Sequence, residues 1–221
     1  MISIETNKEL DQKVYDDFRD FSIGGVDFGK IIRNDHPLIN LENSNDYINN
    51  FYSDHAEEID RSVAELKKAL KEKDGYLKQY IRDIFGDSSL DKKYTGYLSI
   101  FNCNSRYLEN RTFQIFYKKD LLSKQEVCFH EVLHFQFFDY CDGQLRIETS
   151  GLDKNSGVLW ELSEILNVIL MNEPEFRSFF NREEKLFYPA LKSKLEIAKR
   201  IWTDSGRNID LLVKNYLKQK I

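Results

Sequence analysis

Apolar residues between 45 and 85 recur every three or four positions, the spacing of a helix with one buried face. In SDHAEEIDRSVAELKKALKEKDG, Ile59, Val63, Leu66 and Leu70 fall on one side. Ser53 and Asp54 are candidate caps, with Glu57 three residues after Asp54. Asp74-Gly75 predicts a stop, and YLKQYIRDIFG a second, shorter helix ending at Gly86. At residue 94 the texture changes. YTGYLSIFNC (94–103) and RTFQIFYKK (111–119) are rich in aromatic and β-branched residues and predict two strands, an antiparallel pair joined through NSRYLEN. The second strand could offer an edge to an extended peptide, or be sheet alone.

Helical spacing then returns in LLSKQEVCFHEVLHFQFFDYCDG. Ser123 and Glu126 make a capping box that predicts a start near Lys124, and Asp142-Gly143 is the natural stop. After the polar stretch TSGLDKNSG comes VLWELSEILNVILMN (158–172), apolar on nearly every side. Two or three further helices are expected, one carrying LFYPALKSKLEIAKRIW with a bend at Pro189. The order of helices, a small antiparallel sheet and helices again predicts an α+β fold, predominantly helical. With 221 residues and no linker-like tract, a single domain over 1–221 is expected: a helical part over 1–90, a sheet and helix over 94–142, and a helical part over 157–221.

Charge narrows the partners. Residues 1–60 carry 14 Asp and Glu against 5 Lys and Arg, and the mildly basic C-terminal region interleaves both signs. A nucleic-acid or anionic-membrane surface needs a basic face, so neither partner is expected. Cys103, Cys128 and Cys141 have no CxxC spacing and read as small buried hydrophobes of a reducing compartment. No signal peptide is visible, and no uncharged apolar run reaches the roughly 18 residues of a membrane span. The expectation is a soluble, cytoplasmic protein.

The chemistry concentrates in VCFHEVLHFQFF. Of the chain's 4 histidines, His130 and His134 stand four residues apart inside this apolar run. On a helix they lie about 40° apart around the axis and one turn apart along it, so both reach a common point. Two imidazoles on one rigid helix suit zinc, which takes histidine nitrogen at about 2.0–2.1 Å. Glu131 then sits beside the metal without being aimed at it, placed to take a proton from a zinc-activated water and return it to a leaving amine. At this chain's His and Glu frequencies, HExxH arises by chance in roughly one such sequence in a hundred to two hundred, so its surroundings decide. Here it lies in a helix that is apolar all round, where two histidines and a glutamate cost free energy unless they find partners. The alternative is that each histidine hydrogen-bonds a core acceptor. Cys128 is given no metal role, and His36 and His55 are expected at the surface or at caps.

HEVLH on a buried helix after a short sheet resembles the zincin metallopeptidases. Phe137 and Tyr140 stand where the metzincin extension requires Gly and His, so the resemblance is to the gluzincin type. It implies a zincin-like fold, bound zinc, a peptide or protein substrate, and a third ligand from a glutamate on the next long helix. Glu161 and Glu164 compete for that place. Glu164 shares a stripe with Trp160, Asn167, Val168 and Met171, where an isolated acid wants a cation and Asn167 could steady a ligating group. Glu161 lies nearer the helix start, where the macrodipole already favours a carboxylate, so Glu164 is preferred. The family also adds an oxyanion-stabilising Tyr or His from a later helix, for which Tyr188 is a candidate. The implied activity is zinc-dependent peptide hydrolysis by His130, His134 and Glu164 with Glu131 as base. The family's accompanying Asn and Asp around the third ligand are missing here, which keeps open a catalytically inactive zincin-like binding or regulatory module. A third possibility is a helical interaction protein whose HEVLH is accidental.

Overall fold

The structure, a computed structural model, describes residues 2–86 and 92–219. The chain forms two compact units, Met1–Gln79 with Asp91–Glu131, and Tyr80–Leu90 with Val132–Ile221. Helix content dominates both, as the pattern predicts.

The first unit opens on strand β1 (Ile2–Thr6), so the region 1–90 is not purely helical. Helix α1 (Lys8–Phe18), a hairpin of β2 (Ser22–Ile23) and β3 (Val26–Asp27), α2 (Phe28–Asp35), α3 (Ser44–Asp54) and the 30-residue α4 (Ala56–Phe85) follow. Asn7 and Asp27 cap α1 and α2 through their side chains. Between α3 and α4 only His55 interrupts the helix, and Ser53 and Asp54 belong to the last turn of α3 instead of capping α4. Nor does α4 stop at Asp74-Gly75. Gly75 keeps a negative φ, and the roughly 1 kcal/mol cost of a helical glycine is outweighed by the buried stripe of Ile59, Leu66, Leu70, Leu77 and Ile81 on either side of it.

Strands β4 (Tyr94–Ser99), β5 (Arg106–Tyr107) and β6 (Thr112–Phe116) complete a sheet ordered β1-β4-β6-β5. The expected antiparallel pair is in fact parallel. β4 runs parallel to both β1 and β6, and only β5 is antiparallel, against β6. Residues 100–111 are a connection long enough to return the chain for parallel pairing, and β5 forms within it. β6 is therefore an inner strand, and the edges are β1 and β5. Gly96 lies at a crowded point of β4, where a Cβ would come within 2.9 Å of Ile4 and 3.0 Å of Ile115 and Phe113.

A fully buried carboxylate ties this unit together. Asp11 of α1 accepts hydrogen bonds from Ser99 Oγ (2.6 Å), Gln114 Nε2 (2.7 Å), Tyr52 Oη (2.8 Å) and the Ile100 N–H (3.1 Å). One side chain thus joins α1, α3, β4 and β6. Burial pushes its carboxyl up to about 6, against the pull of these four donors.

Helix α5 (Leu121–Gly143) is continuous across the boundary of the units and ends at the predicted Asp142-Gly143. Its cap is Asp120, which accepts from the Ser123 N–H (2.8 Å) and Ser123 Oγ (2.7 Å), in place of the Ser123–Glu126 box. The second unit contains α6 (Arg146–Thr149), α7 (Gly157–Met171), α8 (Pro174–Phe180), α9 (Lys192–Asp204) and α10 (Ile209–Lys218). From Leu162 to Met171 every residue of α7 is buried, which its all-round apolar sequence requires. Pro189 does not bend a helix. It opens a 3-10 turn that leads into α9, a first-turn position where its missing N–H costs nothing. Glu173 fixes α9 from the loop before α8, accepting from Trp202 Nε1 (2.7 Å) and pairing with Arg207 (2.9 Å). Among the described residues, no helix is long and apolar enough to cross a membrane.

Candidate metal centre

His134 is fully buried on α5, one turn after His130, which remains half-buried. Glu164, near the middle of α7, is 6% exposed. His134 Nε2 and Glu164 Oε1 are 3.3 Å apart. One nitrogen of each imidazole and one oxygen of Glu164 all lie within 4.8 Å of one another.

Two ligands each about 2.0–2.1 Å from zinc and separated by the tetrahedral angle stand about 3.3–3.4 Å apart. The His134–Glu164 separation matches that edge. Two imidazoles and one carboxylate are also a donor set that zinc accepts, with a fourth position to spare. The residues present therefore fit the ion. Without an ion, the same 3.3 Å contact is an imidazole–carboxylate pair.

Glu161 is placed differently. It is half-buried and its Oε2 lies 2.6 Å from Lys194 Nζ of α9, an ion pair of its own. It does not join the convergent set, which among the described residues consists of His130, His134 and Glu164. Asn167 is buried on α7, three residues after Glu164 and so on the same side of the helix. The Tyr188 ring packs edge-on against Trp160 at 5.0 Å between centroids, and Trp160 lies one turn before Glu164.

Glu131 is buried, 5% exposed, and its Oε2 lies 3.1 Å from Arg106 Nη1. Both side chains are at most 10% exposed, so this is an interior charge pair and not a screened surface contact. Sequence reasoning passed over Arg106 because it falls in NSRYLEN, where a lone arginine between strands reads as solvated. Its partner became visible only once β5 paired with β6.

The remaining candidates are structural. His36 sits at the C-cap of α2, but it is buried and not at the surface. Its ring bonds Tyr47 Oη (3.0 Å) and the Ile100 carbonyl (2.8 Å), and burial holds its pKa below the usual imidazole range. His55 is the C-cap of α3, 3.4 Å from Glu58. All three cysteines are buried and free, and burial pushes the Cys128 thiol well above its ordinary value. Comparison of the chain with protein families, with curated proteins and with solved structures finds no match in any of the three.

Proposed function

We propose that the protein is a zinc-dependent metallopeptidase that hydrolyses peptide bonds. The observation that supports this reading is the convergence of His130, His134 and Glu164 from two buried helices, with Glu131 next in sequence to one of them. A bound zinc ion supplies Lewis acidity at this point, which makes water more acidic and a peptide carbonyl more electrophilic. His130 and His134 would hold the ion from one rigid helix turn, and Glu164 would hold it from α7. Glu131 takes the proton of the attacking water and delivers it to the departing amine. Tyr188, beside Trp160 on α7, is the candidate for steadying the oxyanion.

The test combines metal content by mass spectrometry, on protein purified without chelator, with hydrolysis of an unfolded-protein or peptide library. One zinc per chain is expected. Glu131→Gln is expected to keep that zinc and to lose at least about 100-fold in rate, the usual contribution of a general acid–base group. Absence of zinc after the ion is offered would overturn the reading, as would retained activity in Glu131→Gln.

A second reading, a zinc-binding or regulatory module without turnover, is favoured by one specific observation: the Glu131 carboxylate is already engaged by Arg106. Stoichiometric zinc with no hydrolysis of any library member would select it.

A further inference from the structure

Glu131 poses a problem of placement. Carboxylate oxygen is a good zinc ligand at about 2.0–2.2 Å, and a fourth protein ligand turns an open zinc site into a closed, structural one. Glu131 follows His130 directly, yet the ligand atoms that converge among the described residues are those of His130, His134 and Glu164. Its place one residue after His130 turns it about 100° from the face of the two histidines, and a partner that grips the carboxylate keeps the flexible side chain from swinging back toward a nearby dication.

Arg106 has the position and the anchorage to do so. Its guanidinium is always charged and meets a carboxylate through a rigid, planar fork. Its Nη1 lies 3.1 Å from Glu131 Oε2 in a buried setting, where a charge pair is weakly screened. The arginine cannot simply follow the glutamate. Arg106 is paired with Phe113 in the β5–β6 ladder. The preceding Ser105 accepts the Gln114 N–H through its carbonyl (2.8 Å) and donates its hydroxyl to Gln114 Oε1 (2.9 Å). Gln114 Nε2 in turn donates to Asp11 Oδ1 (2.7 Å). A buried polar chain from Asp11 through Gln114 and Ser105 therefore braces the strand that carries Arg106.

We infer that Arg106 holds Glu131 out of the metal's coordination sphere, so that the site keeps an open fourth position instead of closing around four protein ligands. This rests on the metal site proposed above. Arg106 is on this account a positioning residue, and it separates an open site from a closed one.

Zinc affinity, measured on the full chain by competition with a chromophoric chelator, tests it in a cycle of Arg106→Ala, Glu131→Gln and the double variant. Releasing Glu131 adds a ligand, so Arg106→Ala is expected to bind zinc about tenfold more tightly or better, the scale on which outer partners move metal affinity. Glu131→Gln alone is expected to leave affinity unchanged, and the double variant to match Glu131→Gln. Equal tightening in the double variant would mean that Arg106 acts only by its charge on the ion, which overturns the inference. Unchanged or weaker binding in Arg106→Ala overturns it too. Arg106→Gln, which preserves more of the buried volume, is expected to tighten binding in the same sense and serves if the alanine variant does not fold. A tenfold loss in Glu131→Gln itself would show that Glu131 already ligates, and would overturn the inference without any arginine variant. Zinc binding without an arginine response sinks this inference alone, whereas an unmodified protein that binds no zinc sinks it together with the metallopeptidase reading.

Discussion

Two buried carboxylates, Asp11 and Glu164, meet opposite kinds of neighbour. Asp11 receives four neutral donors, two hydroxyls, a side-chain amide and a backbone N–H, each aimed at one of its oxygens. These groups bring protons to the carboxylate, and an ion placed there would have to displace them. Glu164 faces imidazole nitrogens, and each of those can offer a lone pair in place of a proton. The first arrangement satisfies a charge within the protein and fastens four elements together. The second collects lone pairs at one point and suits a cation. Burial alone does not distinguish a structural acid from a ligating one. The protonation behaviour of its partners does.

The sharpest break between the two comes from removing each in turn. Glu164→Ala is expected to weaken zinc binding by more than about 100-fold, beyond the range seen when only an outer partner of a ligand is lost. Asp11→Ala is expected to leave zinc stoichiometry unchanged and to lower folding stability by at least about 4 kcal/mol, since it leaves four buried donors unmade at about 1–3 kcal/mol each. Chelator competition reads the first and urea unfolding the second. Zinc loss in Asp11→Ala at full occupancy of the native state would erase the distinction between the two acids.

Proton linkage sharpens it further. The Asp11 carboxyl titrates at about 6 when folded, above the ordinary carboxyl value near 4, because desolvation outweighs its hydrogen bonds. A raised folded value means that the folded state binds the proton more tightly. Its contribution to stability is therefore fully present below about pH 4 and lost as pH rises through about 6, a change on the order of 3 kcal/mol. Urea midpoints of the unmodified protein, referred to Asp11→Asn at each pH, should fall across that window. A rise would mean that four donors outweigh burial and hold the carboxylate ionised.

These contrasts also mark what the sequence could disclose. HEVLH announced itself because helical periodicity turns a four-residue spacing into a shared face, and α7 because an apolar run with one acid near its middle has nowhere else to put the charge. Local signals placed the helices of 45–85, α5 and α7 for the same reason, and left α1 and α2 unmarked. Pairing is a different matter. Nothing in YTGYLSIFNC or RTFQIFYKK states whether the strands run parallel, because that depends on the path of residues 100–111. Asp11 in KELDQKVYDDF looks like one more surface acid of an amphipathic helix, and Arg106 like one more loop arginine. Each acquires its meaning from a partner roughly 25 to 100 positions away in the chain, and no local pattern encodes such a partner. Gly75 misled for the converse reason: its intrinsic preference is real, but the helix on both sides outweighs it.

The smallest expected effect concerns the two acids of α7. Glu161 and Glu164 are three residues apart on one helix, so propensity and composition treat them alike. The difference lies in what each meets. Glu161 is about one-fifth exposed and already satisfied by Lys194 at 2.6 Å, whereas Glu164 is turned to the histidines. Partly exposed ion pairs contribute little, since solvent screens the attraction and two long side chains lose freedom. Glu161→Ala and Lys194→Ala are therefore each expected to change stability by less than about 1 kcal/mol and to leave zinc affinity within twofold, a null on the chelator scale. Zinc lost in Glu161→Ala and kept in Glu164→Ala would reverse the assignment of the third ligand. It would require α7 to turn by about 60° about its axis and to slide about 4.5 Å along it when the ion binds, carrying the buried Leu162, Ile165 and Leu166 out of their packed positions.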